Sequence, residues 1–132
     1  MPKLPASNVQ EDTEGRWFEY VPGLSVRIAR IGNPEFNTFL RRGIKRKGRG
    51  KGQEDLTQEA IAHTIVTDWK GITETDEEGS PEIPYSAAKC LEFFRKTEYY
   101  DFYRWVQAVA GDDDEWGIGI EAGNSETSSS GT

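Results

Sequence analysis

The stretch from Arg16 to Phe36, RWFEYVPGLSVRIARIGNPEF, constrains the fold more than any other, because it encodes a chain reversal and, shortly after it, a helix start. Aromatic and β-branched residues flank Pro22 and Gly23 on both sides, which is the composition of two strands joined by a turn. Closure between Val21 and Leu24 would put Trp17, Val21, Leu24, Val26 and Ile28 on one face of this hairpin, with Glu19 the exception. Proline cannot take the positive φ required at the first position of the favoured two-residue hairpin turns, so a type II or slightly longer connection is expected. Three signals then agree on a helix start: Asn33 as N-cap, Pro34 at the first helical position and Glu35 in the first turn.

Phe36, Phe39, Leu40 and Ile44 continue at helical spacing, Gly43 weakens the interior, and GRGKG at 48–52 ends the helix in a basic, Gly-rich loop. A second helix is expected from about Asp55 to Lys70, with an apolar stripe of Ile61, Ile65, Val66 and Trp69 and Gly71 as its stop. The acidic TETDEEGSPE then leads to IPYS, where Pro84 rules out an earlier start and Ser86 caps a third helix carrying Cys90, Leu91, Phe93 and Phe94. Thr97 is the expected cap of a fourth, from Glu98 to about Ala110, buried along Phe102, Trp105, Val106 and Val109. No internal repeat is present. These segments predict a mainly α protein: one small helical domain of about four helices over 16–110, with a short N-terminal β-hairpin. A flexible arm is expected over 1–15 and a disordered acidic tail over 111–132, in which EWGIGI is the only stretch able to dock.

Charge is unevenly distributed. The chain carries 16 Lys and Arg against 23 Asp and Glu, a net charge of −7, which argues against a general binder of nucleic acid or anionic membrane. Yet Arg41, Arg42, Lys45, Arg46, Lys47, Arg49 and Lys51 fall within one short run without an acidic residue, and they are the candidate partner-binding residues. No aromatic interleaves them, as stacking rings normally do in single-strand nucleic-acid binders, so a solvated linker or an acidic protein partner is favoured over nucleic acid. One cysteine cannot form an internal disulfide, and Cys90 at an apolar position reads as a small hydrophobe in a reducing compartment. The N-terminus lacks a signal-peptide pattern and no apolar run is long enough to span a bilayer, so no membrane partner and a cytoplasmic location are expected.

No motif carries catalysis or a cofactor. Glu74, Asp76, Glu78 and Gly79 match positions 1, 3, 5 and 6 of a calcium loop, but Tyr85 stands where the bidentate carboxylate belongs, so the segment reads as a solvated turn. GRGKG lacks phosphate-loop spacing and a preceding strand. His63 is the single histidine, which leaves no multi-histidine metal site and no local Cys/His dyad. Neither metal nor enzyme activity is expected.

GRWFEYVPGLSVRIARIGNPEF, DWKGI, EEGSPEIPYS and FYRWVQAVA, in that order over roughly residues 15 to 110, resemble the tail assembly chaperones of long-tailed bacteriophages. The resemblance implies a mostly helical, non-enzymatic protein of the infected host's cytoplasm that binds and solubilises the tape-measure protein. It also implies a role in recruiting tail-tube protein and absence from the mature virion. Coverage of a long client by a small chain implies a homo-oligomer. Two other classes stand beside this one: a structural virion component, such as a head-tail connector or minor tail protein, and a nucleic-acid-associated protein acting through residues 41–51.

Overall fold

The reversal at Pro22-Gly23 forms as its composition dictates, with β1 (Arg16–Val21) and β2 (Leu24–Ile28) antiparallel and Val21 opposite Leu24. The structure, a computed structural model, describes residues 4, 6, 8–47, 52–112 and 114–116. The register shifts just beyond the turn: Glu19 lies opposite Ser25, so Tyr20 is an extra residue in β1. Side chains alternate along a strand, and one inserted residue therefore moves every earlier side chain to the other face. Phe18 and Tyr20 pack against the core, whereas Trp17 and Val21 are 43% and 45% exposed. The expected inward face holds for Leu24, Val26 and Ile28 and is corrected for Trp17 and Val21.

The helix expected over residues 55–70 is three elements. α2 (Pro34–Lys47) precedes it, capped by the Asn33 carboxamide oxygen, which accepts from the Phe36 N–H at 3.0 Å. α3 (Gln53–Ala60) then widens into a π turn over Ile61–Ile65 and passes directly into β3 (Val66–Lys70). β-branched Ile61, Thr64, Ile65, Val66 and Thr67 lose rotamer freedom in a helix and fit a pleated surface. Pairing decides the outcome: β3 adds antiparallel to β2, with Val26 opposite Trp69 and Ile28 opposite Val66. Gly43 is buried where α2 meets α3, and a Cβ there would stand 2.2 Å from Leu56 Cδ1, so the glycine that weakens α2 also lets the two helices touch.

Residues 9–14, within the expected flexible arm, form a short helix α1 (Val9–Glu14) capped by Asn8. It is held by Asp12, which is buried, pairs with Arg30 at 3.2 Å and accepts the Arg30 backbone N–H on its own carbonyl at 2.8 Å. Beyond the sheet, Ser86 caps α4 (Ala87–Phe94) as expected, accepting from the Lys89 N–H at 3.0 Å. Thr97 caps nothing; it opens a 3-10 turn, Thr97–Tyr99, that leads into α5 (Tyr100–Ala110). α5 crosses the inner face of the sheet, where Tyr20 meets Phe102 and Trp105 at ring separations of 5.4 and 4.6 Å. Past α5, Trp116 is buried: it donates to the Val109 carbonyl at 3.0 Å and lies under the Arg16 guanidinium at 4.6 Å.

The described residues thus hold five α-helices and a three-stranded antiparallel sheet in the order β1-β2-β3. The fold is mixed α and β, and the mainly α expectation of a four-helix domain with a hairpin is corrected. The cause is β3, whose residues supply the third strand rather than the end of a helix. No helix among the described residues is long and apolar enough to cross a membrane.

Candidate functional site

Gly71 shapes a concavity beside the hairpin turn. Its φ of +91° suits glycine, and a Cβ there would stand 1.9 Å from the Gly23 carbonyl oxygen, so the chain leaves β3 in direct contact with the hairpin turn. The Gly71 N–H donates to the Glu82 carboxylate. Ile83 N–H then donates to Ile72 at 2.7 Å and Glu74 N–H to Pro81 at 3.2 Å, with Thr73 opposite Glu82, making a narrow antiparallel finger over residues 72–83. Finger, hairpin turn and α4 enclose an open groove of about 910 Å3 whose apolar lining includes Leu24, Ile72, Ile83, Phe93 and Phe102.

The base of the finger is anchored by two aromatic side chains. Trp69 Nε1–H donates to the Ile83 carbonyl at 2.8 Å, and its ring meets Tyr85 edge-on at 5.1 Å. The Tyr85 hydroxyl lies 2.6 Å from the Val66 carbonyl oxygen and 3.1 Å from that of Ala62, where the π turn gives way to the strand. Burial raises the Tyr85 phenol well above its ordinary pKa, with the Cys90 thiol and the Asp68 carboxylate adding to the effect. The phenol therefore stays a donor throughout the neutral range.

The two lips of the groove differ in charge. Residues 71–88 contain Glu74, Asp76, Glu77, Glu78 and Glu82 and no Lys or Arg, and Glu74 and Asp76 face the groove. On the opposite lip Lys89 and Lys96 are both held by Glu92, at 3.4 and 3.8 Å.

The candidate basic residues lie elsewhere. Arg41, Arg42, Lys45 and Arg46 are exposed on α2, which runs through Lys47, so these five belong to a helix rather than a loop. Arg46 reaches Glu59 at 4.0 Å. Arg41, Arg42, Lys45 and Arg46 do not line the groove, and Arg49 and Lys51 lie outside the described residues, as does the tail from 117. His63 is exposed and stacks on Phe39 at 5.1 Å. Cys90 is fully buried, and burial pushes its thiol pKa up, which leaves it a packed hydrophobe rather than a nucleophile. No group of three or more His, Cys, Asp or Glu among the described residues could hold a metal ion. Leu24, Ile72 and Ile83 were not singled out for binding by sequence reasoning, although GLSVRIAR, DWKGI and EIPYS contain them; periodicity marks such positions only as apolar.

A family model described as the YdaY prophage protein matches residues 26–117, from the middle of β2 to just past Trp116. The chain belongs to the YdaY prophage protein family. It is therefore a phage-derived protein, and the family match takes in the finger, α4 and α5, which form most of the groove. No curated protein and no solved structure matches it.

Proposed function

We propose that this YdaY-family protein is a tail assembly chaperone that binds the tape-measure protein, keeps it soluble and helps recruit tail-tube subunits during tail assembly. It acts without catalysis, as a homo-oligomer in the host cytoplasm, and leaves before the virion is complete. One observation carries the reading: segments scattered along the sequence, each part of the resemblance to tail assembly chaperones, converge on one groove. The four segments bring Leu24, then Gly71 and Ile72, then Ile83 and Pro84, and last Phe102 to its walls. They are tied by the Val26–Trp69 strand pair, the Trp69–Ile83 hydrogen bond and the Tyr20–Phe102 ring contact. A partly apolar groove with charged lips suits reversible binding of a polypeptide, which must be released when the tail tube takes over.

Quantitative mass spectrometry of an induced lysogen tests this. The chain should be abundant in the lysate while tails assemble and absent from purified particles. Recovery from particles in fixed proportion to tail protein would make it a structural virion component and end the chaperone reading.

A further inference from the structure

We infer that the groove between the hairpin turn and α4 receives an amphipathic α-helix of the client, laid so that a basic flank of that helix runs along the Glu74–Asp76 lip. The identity of the occupant as client rests on the chaperone reading; its shape and charge follow from the groove. A volume of about 910 Å3 accommodates roughly two turns of a helix about 10–12 Å across. An extended segment would need unpaired backbone groups to bond with, and the finger offers few. Ile72 and Ile83, and Glu74 and Pro81, are bonded to each other, Gly71 N–H is taken by Glu82, and Pro22 and Pro84 on the walls have no N–H. A helix brings its own backbone hydrogen bonds and asks only for apolar contact. Leu24, Ile72, Ile83 and Phe93 provide that contact, each packed on the core on one side and part-exposed on the other.

Charge sets the orientation. Glu74 and Asp76 are exposed and form no ion pair among the described residues, and Glu77 and Glu78 follow them at the tip of the finger. Lys89 and Lys96 share Glu92, so the α4 lip keeps a net positive charge and disfavours a cationic flank there. A cationic flank is therefore favoured on the finger side, while an anionic one there would meet like charge in a chain whose net charge is already −7.

The test is methyl NMR of the full chain, following Leu24, Ile72 and Ile83, with two synthetic peptides as probes. Each is an amphipathic helix of about four turns with the same leucine face, one flanked by lysines and the other by glutamates. The lysine-flanked peptide should shift these three methyl signals saturably and bind at least about tenfold more tightly than the glutamate-flanked one. Glu74→Lys with Asp76→Lys, at exposed positions that should leave the other methyl signals in place, should abolish that preference. Tyr99→Ala, at the exposed end of the groove, should weaken both peptides. Equal binding of the two peptides, shifts centred on α2 instead, or movement of the groove signals with protein concentration alone, which would mean a second copy fills it, overturns the inference. The two readings fail separately. A Glu74→Lys, Asp76→Lys variant that still co-purifies fully with tape-measure protein removes the groove assignment and leaves the chaperone reading standing. Selective peptide binding without any client complex removes the chaperone reading alone.

Discussion

Trp69 Nε1–H donates to the carbonyl oxygen of Ile83 at 2.8 Å, tying the last strand of the sheet to the far side of the finger that bounds the groove. Trp69 is 4% exposed and Ile83 lies fourteen residues further along, so this bond closes the loop that carries the acidic lip. Trp69→Ala should cost about 3–5 kcal/mol in denaturant unfolding, as large aromatic truncations in cores do. Trp69→Phe keeps most of the ring and leaves the Ile83 carbonyl unpaired, at about 1–3 kcal/mol. A fully stable Trp69→Ala protein would mean that this ring is a binding surface and not a structural brace.

Gly71 and Gly79 separate conformational strain from crowding. Both have positive φ, +91° and +83°, but a Cβ on Gly79 meets nothing within 4 Å whereas one on Gly71 runs into the Gly23 backbone. Gly79→Ala should cost about 1–2 kcal/mol, the penalty of a left-handed alanine. Gly71→Ala adds backbone overpacking and should cost about 2–5 kcal/mol in all. Equal losses at the two positions would show that the finger does not press on the hairpin turn.

Tyr103 predicts how stability depends on alkaline pH. Its hydroxyl is buried without a hydrogen-bond partner among the described residues, and its pKa is pushed up to about 12, chiefly by burial, then by the Glu54 carboxylate and Tyr100. In the unfolded chain the phenol releases its proton near pH 10. Between about pH 10 and 12 the unfolded state therefore binds fewer protons than the native one, and stability falls as pH rises through that window. Tyr103→Phe should flatten this fall, with Tyr85 and Cys90 supplying what remains of it, and at pH 7 should be close to neutral or stabilising because it removes an unsatisfied buried hydroxyl. Urea unfolding of both proteins at pH 7, 10 and 11.5 checks the signs.

How far the sequence could be read depended on the range of the interaction. The turn at Pro22-Gly23, the Asn33 cap and the Ser86 cap are local chemistry, and each stands where its residues indicated. The bulge at Tyr20 was invisible, since nothing in RWFEYV marks an extra residue, and it turned Trp17 outward and Phe18 inward. Ile61, Ile65, Val66 and Trp69 satisfy a helical stripe as well as the buried side of a strand, and a short apolar run does not distinguish them. Only pairing with β2, some forty residues back, makes Val66–Lys70 a strand. The groove was hidden for the same reason: the acidic segment read as a solvated turn becomes a lip only once Gly71 folds it against the hairpin.

The exposed cations of α2 should be dispensable for folding. Replacing Arg41, Arg42 and Lys45 by Gln, a good helix former, should change stability by no more than about 1 kcal/mol, because solvent screens them. If these residues held phosphates, the log of affinity for DNA or RNA would fall steeply with the log of salt concentration and the triple variant would flatten that slope. The chaperone account expects no such salt-dependent affinity in the parent protein.

Co-expression with the tape-measure protein encoded in the same prophage tests the chaperone claim most directly. The tape-measure protein alone should sediment as aggregate, and with this chain it should remain in the supernatant and co-purify with many copies of the chain per client. A client that is equally soluble alone, with no complex surviving gentle purification, would contradict the account.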